Sequence, residues 1–139
     1  MISHLLDTDM LTLFQYGHPK VSARCAVAPP GSLAITIISV EEQFLGWYTR
    51  ARKAKRDDEI AWAYDRMTEF AGFIKQLPIV SFTAKAIQEY RQLKALKLNV
   101  GKKDLCIAAI GRELSATVVT GNLSDFGRVP GLVGEDWSK

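Results

Sequence analysis

The chain has 139 residues, 47% of them hydrophobic and 24% charged, a size and composition that predict one globular domain over residues 1–139 and exclude a disordered or low-complexity chain. Eighteen Lys and Arg against fifteen Asp and Glu leave a formal charge of +3, too small a surplus to argue for a nucleic-acid partner by itself. Cys25 and Cys106 are the only cysteines, too few for a disulfide framework, and there is neither a basic leader nor an apolar run of membrane-spanning length, so the expectation is a cytoplasmic protein with no membrane attachment.

In chain order, His4–Leu6 reads as a short buried strand that stops at Asp7-Thr8-Asp9, with a helix starting at Met10. Ala28-Pro29-Pro30-Gly31-Ser32 is a loop, and Leu33–Ile38 after it is a continuous apolar run of the kind found in central parallel strands. From Ser39 to about Lys55 the pattern turns helical, with Val40, Phe44, Trp47, Tyr48 and Ala51 predicted on one buried face. A second helix follows from Asp57, carrying Ile60, Tyr64, Met67, Ala71 and Ile74 on one stripe until Leu77-Pro78 ends it. Ile79-Val80 suggests a brief strand, and Thr83 caps a helix carrying Ile87, Tyr90 and Leu93. Asn99-Val100-Gly101 breaks that helix before another, from about Lys103 to Leu114, which is apolar on most sides and should pack deeply. Thr117–Val119 reads as a buried strand, Thr120–Phe126 as a polar turn, and Val129–Val133 as the approach to a final edge segment. Strands alternating with helices imply a three-layer α/β/α sandwich around a central parallel sheet, whose ligands sit beyond the carboxyl ends of the strands.

Asp7 follows the first strand, Glu42 lies just beyond the second, Asp125 closes the turn after Thr117–Val119, and Asp104 opens the helix leading into that strand. Carboxylates gathered at one edge repel unless a cation neutralises them, and an all-oxygen set selects a hard ion, Mg²⁺ or Mn²⁺. Such an ion orients water and offsets charge developing on a phosphodiester. Each acid also has a purely structural explanation. Ser39 and Glu42 have the spacing of a capping box, Asp7 and Asp9 suit a helix cap, Asp104 suits the positive end of a helix, and Asp125 suits a turn. Basic residues form two groups, Arg50, Arg52, Lys53, Lys55 and Arg56, and then Lys94, Lys97, Lys102 and Lys103. Either is a solvated face or a surface for phosphates.

Together and in order, Leu6-Asp7-Thr8-Asp9, Ile35–Glu42 with Gly46 after it, Asp104–Ala109, Val118–Phe126 and Val129-Pro130-Gly131-Leu132 resemble the PIN-domain nucleases, and among them the VapC-type toxins of toxin–antitoxin pairs. The resemblance spans nearly the whole chain. It implies a PIN-like fold, and places Asp7, Glu42, Asp104 and Asp125 on the metal-holding and catalytic positions, with Thr8, Asp9, Thr120 and Asn122 as polar support. Aligning on Gly46 selects Glu42; Glu41, about 100 degrees away round the helix, is the alternative. The chain departs from the family in having Asp9 where Asn is frequent and Gly121 where a basic residue is common. The resemblance further implies Mg²⁺- or Mn²⁺-dependent endoribonuclease action on RNA such as tRNA, with water attacking and a 5′-phosphate left behind. It also implies a homodimer and a cognate antitoxin. Three rivals are a PIN-like nuclease acting on DNA, a receiver-like phosphoacceptor signalling domain, and a catalytically silent binding module. The receiver fits poorly, because no Lys lies near Thr120, and the intact acids argue against a silent module.

Overall fold

The computed structural model describes residues 1–139. Its elements are β1 (His4–Leu6), α1 (Thr8–Gln15), α2 (Pro19–Val27), β2 (Leu33–Thr36), α3 (Ile37–Lys53), α4 (Asp57–Phe73), β3 (Ile79–Val80), α5 (Ala84–Ala95), α6 (Lys102–Leu114), β4 (Thr117–Val119), α7 (Leu123–Phe126) and β5 (Gly134–Glu135). The five strands form one sheet in the order β3-β2-β1-β4-β5, every pair parallel. This is not the 2-1-3-4-5 order of receiver-like sheets, which removes that rival.

Alternation along the strands divides the core between two faces. Leu5, Ala34 and Val118 point to one side, where α5 and α6 contribute Ala86, Leu93 and Ile107. Leu6, Leu33, Ile35 and Val119 point to the other, against Met10, Leu11 and Val21 of the first two helices and Phe70 of α4. The helices on both faces complete the expected α/β/α sandwich. As its composition predicts, α6 is buried continuously from Leu105 to Gly111. A Cβ at Gly111 would come within 3.0 Å of Val118 and 3.1 Å of Leu132, so this glycine lets α6 lie close on β4.

Several boundaries differ from the sequence expectations, each for a local reason. The strand expected over Leu33–Ile38 ends at Thr36, whose hydroxyl accepts the Ser39 amide and caps α3. Ile37 and Ile38 are therefore helical; an apolar β-branched pair does not distinguish a strand end from a helix start. The first helix begins at Thr8 rather than Met10, because Asp7 is its cap. An unexpected helix, α2, is capped by His18 and opened by Pro19 at its first turn, where proline's missing N–H costs nothing. The expected turn at Thr120–Phe126 contains α7, capped by Asn122. The long second helix ends at Phe73 and continues as a 3₁₀ turn over Ile74–Gln76. On α3 and α4, Tyr48 and Tyr64 are exposed rather than on the buried stripe, and Cys25 is half-buried while Cys106 is buried.

Candidate functional site

The sheet order reverses at β1: the chain builds outward through β2 and β3 on one side, then crosses to β4 and β5 on the other. Loops leaving β1 and β4 diverge there, and the crevice beyond their carboxyl ends is where such folds bind ligands. Asp7 is the first residue past β1, its amide donating to Val119 O at 3.0 Å. Its Oδ1 accepts the Met10 amide at 2.9 Å, so the helix-cap explanation is correct for this residue. Capping occupies one oxygen and leaves the carboxylate at the mouth of the crevice. Asp7 is only 4% exposed. Burial raises its pKa from 3.8 to about 6, opposed by hydrogen bonds from the Thr120 side chain and the Met10 amide and reinforced by the charges of Asp9 and Asp104. Asp9 itself is exposed on the first turn of α1.

Glu42 stands in the second turn of α3 and does not close a capping box, since Thr36 is the cap and Ser39 lies within the helix. Thr8 Oγ1 is 2.8 Å from Glu42 Oε1 and 2.9 Å from Ser39 Oγ. A hydroxyl has one proton, so the arrangement satisfying all three has Thr8 donating to the carboxylate and accepting from Ser39. That relay ties the second turn of α3 to the start of α1. Glu41, the alternative, points elsewhere and accepts from Lys103 Nζ at 2.7 Å.

Asp104 lies in the first turn of α6, half-buried. Burial raises its pKa, and the charges of Glu42, Asp125 and Asp9 raise it further, while a hydrogen bond from the Asn122 side chain acts in the opposite direction. Asp125 is held from two sides: Asn122 Nδ2 donates to Oδ2 at 2.9 Å and Arg128 Nη1 donates to Oδ1 at 3.0 Å. Arg128 also donates to Asn99 O at 2.9 Å. The fully buried Thr120 accepts the Asn122 amide at 2.9 Å, fixing the turn that carries Asn122.

The fold thus brings Asp104 within electrostatic range of Glu42, Asp125, Asp9 and Asp7. No three of its Asp, Glu, His or Cys side chains stand together as a ready-made metal-ligand group; Glu42 is turned to Thr8 and Asp125 to Asn122 and Arg128. Ser39 and Arg128 were missed as site neighbours. The capping-box spacing of Ser39 and Glu42 points away from a contact with Thr8, and the signal for Arg128 is its i,i+3 spacing from Asp125. The donor set suits a hard dication: all its candidate ligands are oxygens, and two of the acids are held above the ordinary carboxylate range by burial and mutual repulsion. The histidines are engaged elsewhere, His18 capping α2 and His4 beside Ser3 and Glu135.

No protein-family model matches the chain. Among solved structures it is similar to the VapBC2 complex of Rickettsia felis bound to a DNA fragment from their promoter, with a TM-score of 0.79, 26% identity and 99% of each chain covered. It is likewise similar to DNA-bound VapBC of Salmonella typhimurium, with a TM-score of 0.81, 25% identity and 99% of each chain covered. These likenesses and the all-parallel sheet define a PIN-like α/β/α protein of the toxin–antitoxin class. Over an alignment of 142 positions, covering 98% of both chains, it is 37% identical to ribonuclease VapC2 of Rickettsia felis. It is also 25% identical to the tRNA(fMet)-specific endonuclease VapC of Shigella flexneri, over 99% of this chain and all of that one. The chain belongs to the VapC family of PIN-domain toxins.

Proposed function

We propose that this VapC-family chain is a Mg²⁺- or Mn²⁺-dependent endoribonuclease acting at the crevice beyond β1 and β4, with Asp7, Glu42, Asp104 and Asp125 as its metal-holding acids. The observation that carries this is the buried Asp7 beside Asp104, two carboxyl groups whose negative charge nothing in the chain neutralises. A bound dication would supply that neutralisation and the Lewis acidity that phosphodiester hydrolysis needs.

The protein's own contribution is placement. Thr8 holds one oxygen of Glu42 and leaves the other open, while Asn122 and Arg128 hold both oxygens of Asp125, so a cation would have to compete with Arg128 for that acid. Thr120 supports the Asn122 turn, and Asp9 adds negative charge at the rim. Lys102 and Lys103, immediately before Asp104, bring cationic side chains to the edge that an anionic backbone must approach. In-line attack by water leaves a 5′-phosphate on the downstream fragment.

The relatives supply the substrate class and partners of this proposal. One is a tRNA(fMet)-specific endonuclease and others are solved as VapBC complexes, which supports structured RNA such as tRNA as the proposed substrate and a cognate antitoxin as the proposed inhibitor; a homodimer is proposed on the family resemblance alone. No helix is long and apolar enough to cross a membrane; the proposed site of action is cytoplasmic RNA, with residues 1–139 acting as a single domain. Incubating the purified chain and Mn²⁺ with tRNA, hairpin RNA and single-stranded DNA tests the assignment. RNA should be cut and DNA left intact, and Asp104→Asn should remove the activity. Cutting of DNA alone would make the chain a DNA nuclease instead.

A further inference from the structure

Beside Glu42, on the exposed side of α3, lies a cleft of about 240 Å³ lined by Glu42, Gln43, Gly46, Trp47 and Arg50. Positions 42, 46 and 50 recur every four residues and so form one strip, rising about 12 Å along the helix axis between its first and last Cα atoms at 1.5 Å per residue. Gly46 is the floor of this strip. A glycine in a helix interior costs about 1 kcal/mol against alanine, yet a Cβ here would meet nothing within 4 Å. Packing therefore does not require Gly46, and its missing side chain leaves the cleft open.

The far end of the strip is cationic and aromatic. Arg56 pairs with Asp58 and Glu59, and Arg66 with Glu69. Arg50 is different: it lies over the Trp62 ring at 5.0 Å and also lines an adjoining cleft with Lys53, Trp62 and Glu59, an acid already engaged by Arg56. Trp62 in turn stands edge-on to Trp47, with centroids 5.4 Å apart at 85°. Trp62 is therefore a positioning residue, fixing the planes of both Arg50 and Trp47. A flat indole beside a cation, opening from a phosphodiester-cleaving acid, matches the alternation of base and phosphate in a single strand. It matches a basic peptide poorly, since Arg50 would repel it.

We propose that this cleft is a nucleotide subsite: an unpaired base adjoining the scissile phosphodiester lies over Gly46 against Trp47, and a phosphate further along the strand meets Arg50. This rests on the ribonuclease assignment and gives it a substrate preference, for RNA with unstacked bases at the cut. The test compares wild type, Trp47→Leu, Trp47→Phe and Arg50→Gln, checked by circular dichroism, on a short single-stranded oligoribonucleotide with Mn²⁺. The same oligonucleotide is also made with the base beside the cut removed.

Trp47→Leu should raise KM about tenfold with kcat held within about twofold, and Trp47→Phe, which keeps a ring, should recover most of that loss. Arg50→Gln should reduce the slope of log affinity against log salt by about 0.7. The abasic substrate should weaken wild type as much as Trp47→Leu does and leave that variant no weaker; because it uses the native chain, it decides the matter even if Trp47→Leu does not fold. Wild type that leaves both this oligonucleotide and tRNA uncut overturns the ribonuclease assignment and the subsite with it, whereas wild type that cuts tRNA but not the oligonucleotide overturns the subsite alone. Wild type that cuts, with equal KM for the variants and the abasic substrate, overturns the subsite alone. Unchanged cutting with lost antitoxin binding assigns the cleft to a protein partner instead.

Discussion

Replacing Asp7 with Asn separates the two roles of this side chain. As a cap, its Oδ1 accepts the Met10 amide at 2.9 Å, and an Asn carbonyl oxygen serves that role equally well. As a buried carboxyl it titrates near 6 instead of 3.8. Between those values the folded chain keeps a proton that the unfolded chain has released, so stability falls as pH rises through the window. The difference corresponds to about 3 kcal/mol, with little solvent screening because the residue is 4% exposed. Asn carries no charge at any pH. In EDTA, Asp7→Asn should therefore match wild type below about pH 4, gain steadily to about pH 6, and level off with an advantage of up to about 3 kcal/mol. Urea unfolding at a series of fixed pH values measures this directly. A difference that does not change with pH, or an Asn variant less stable than wild type at neutrality, would refute the reasoning.

Other expectations concern α3 and the fourth acid. Thr36→Ala removes the α3 cap and should cost about 1 kcal/mol, and Glu42→Ala, which breaks no capping box but removes the acceptor of the Thr8 hydroxyl, should also cost about 1 kcal/mol; chemical denaturation measures both. Gly46→Ala should stabilise by about 1 kcal/mol, read as a higher thermal midpoint, because the added methyl meets nothing within 4 Å. Arg128→Gln breaks a half-exposed pair with Asp125, so it should cost less than about 1 kcal/mol while strengthening Mn²⁺ binding in calorimetry, since Asp125 is released from its resident cation.

The parts of the fold legible in the sequence were those written in periodicity. The continuous apolar run after Gly31 marked a central strand, and the unbroken apolar surface of residues 105–110 marked α6 as the buried helix. The parts that were not legible depended on single side chains acting against their surroundings. Thr36 caps α3 from within an apolar run, and α2 is announced only by His18-Pro19 after Gly17, a glycine with φ of 79°. For the site, positions after strand ends drew attention to Asp7 and to the Thr120–Asp125 turn, because parallel sheets bind ligands at those ends. Which acids face one another was beyond local pattern. It depends on β1 lying between β2 and β4, a pairing between segments far apart in sequence that periodicity does not encode. The family resemblance grouped the four acids but did not give the strand order. It did not reveal that Thr8 bridges Ser39 and Glu42, or that Arg128 occupies Asp125.

The acid edge as a dication site is tested most directly by thermal unfolding of wild type and Asp104→Asn at neutral pH, with and without Mn²⁺. Wild type should gain stability with increasing Mn²⁺, by about 2.7 kcal/mol at one hundred times the dissociation constant, and Asp104→Asn should lose most of that gain. Equal Mn²⁺ responses in the two proteins, or none in wild type, would contradict the account.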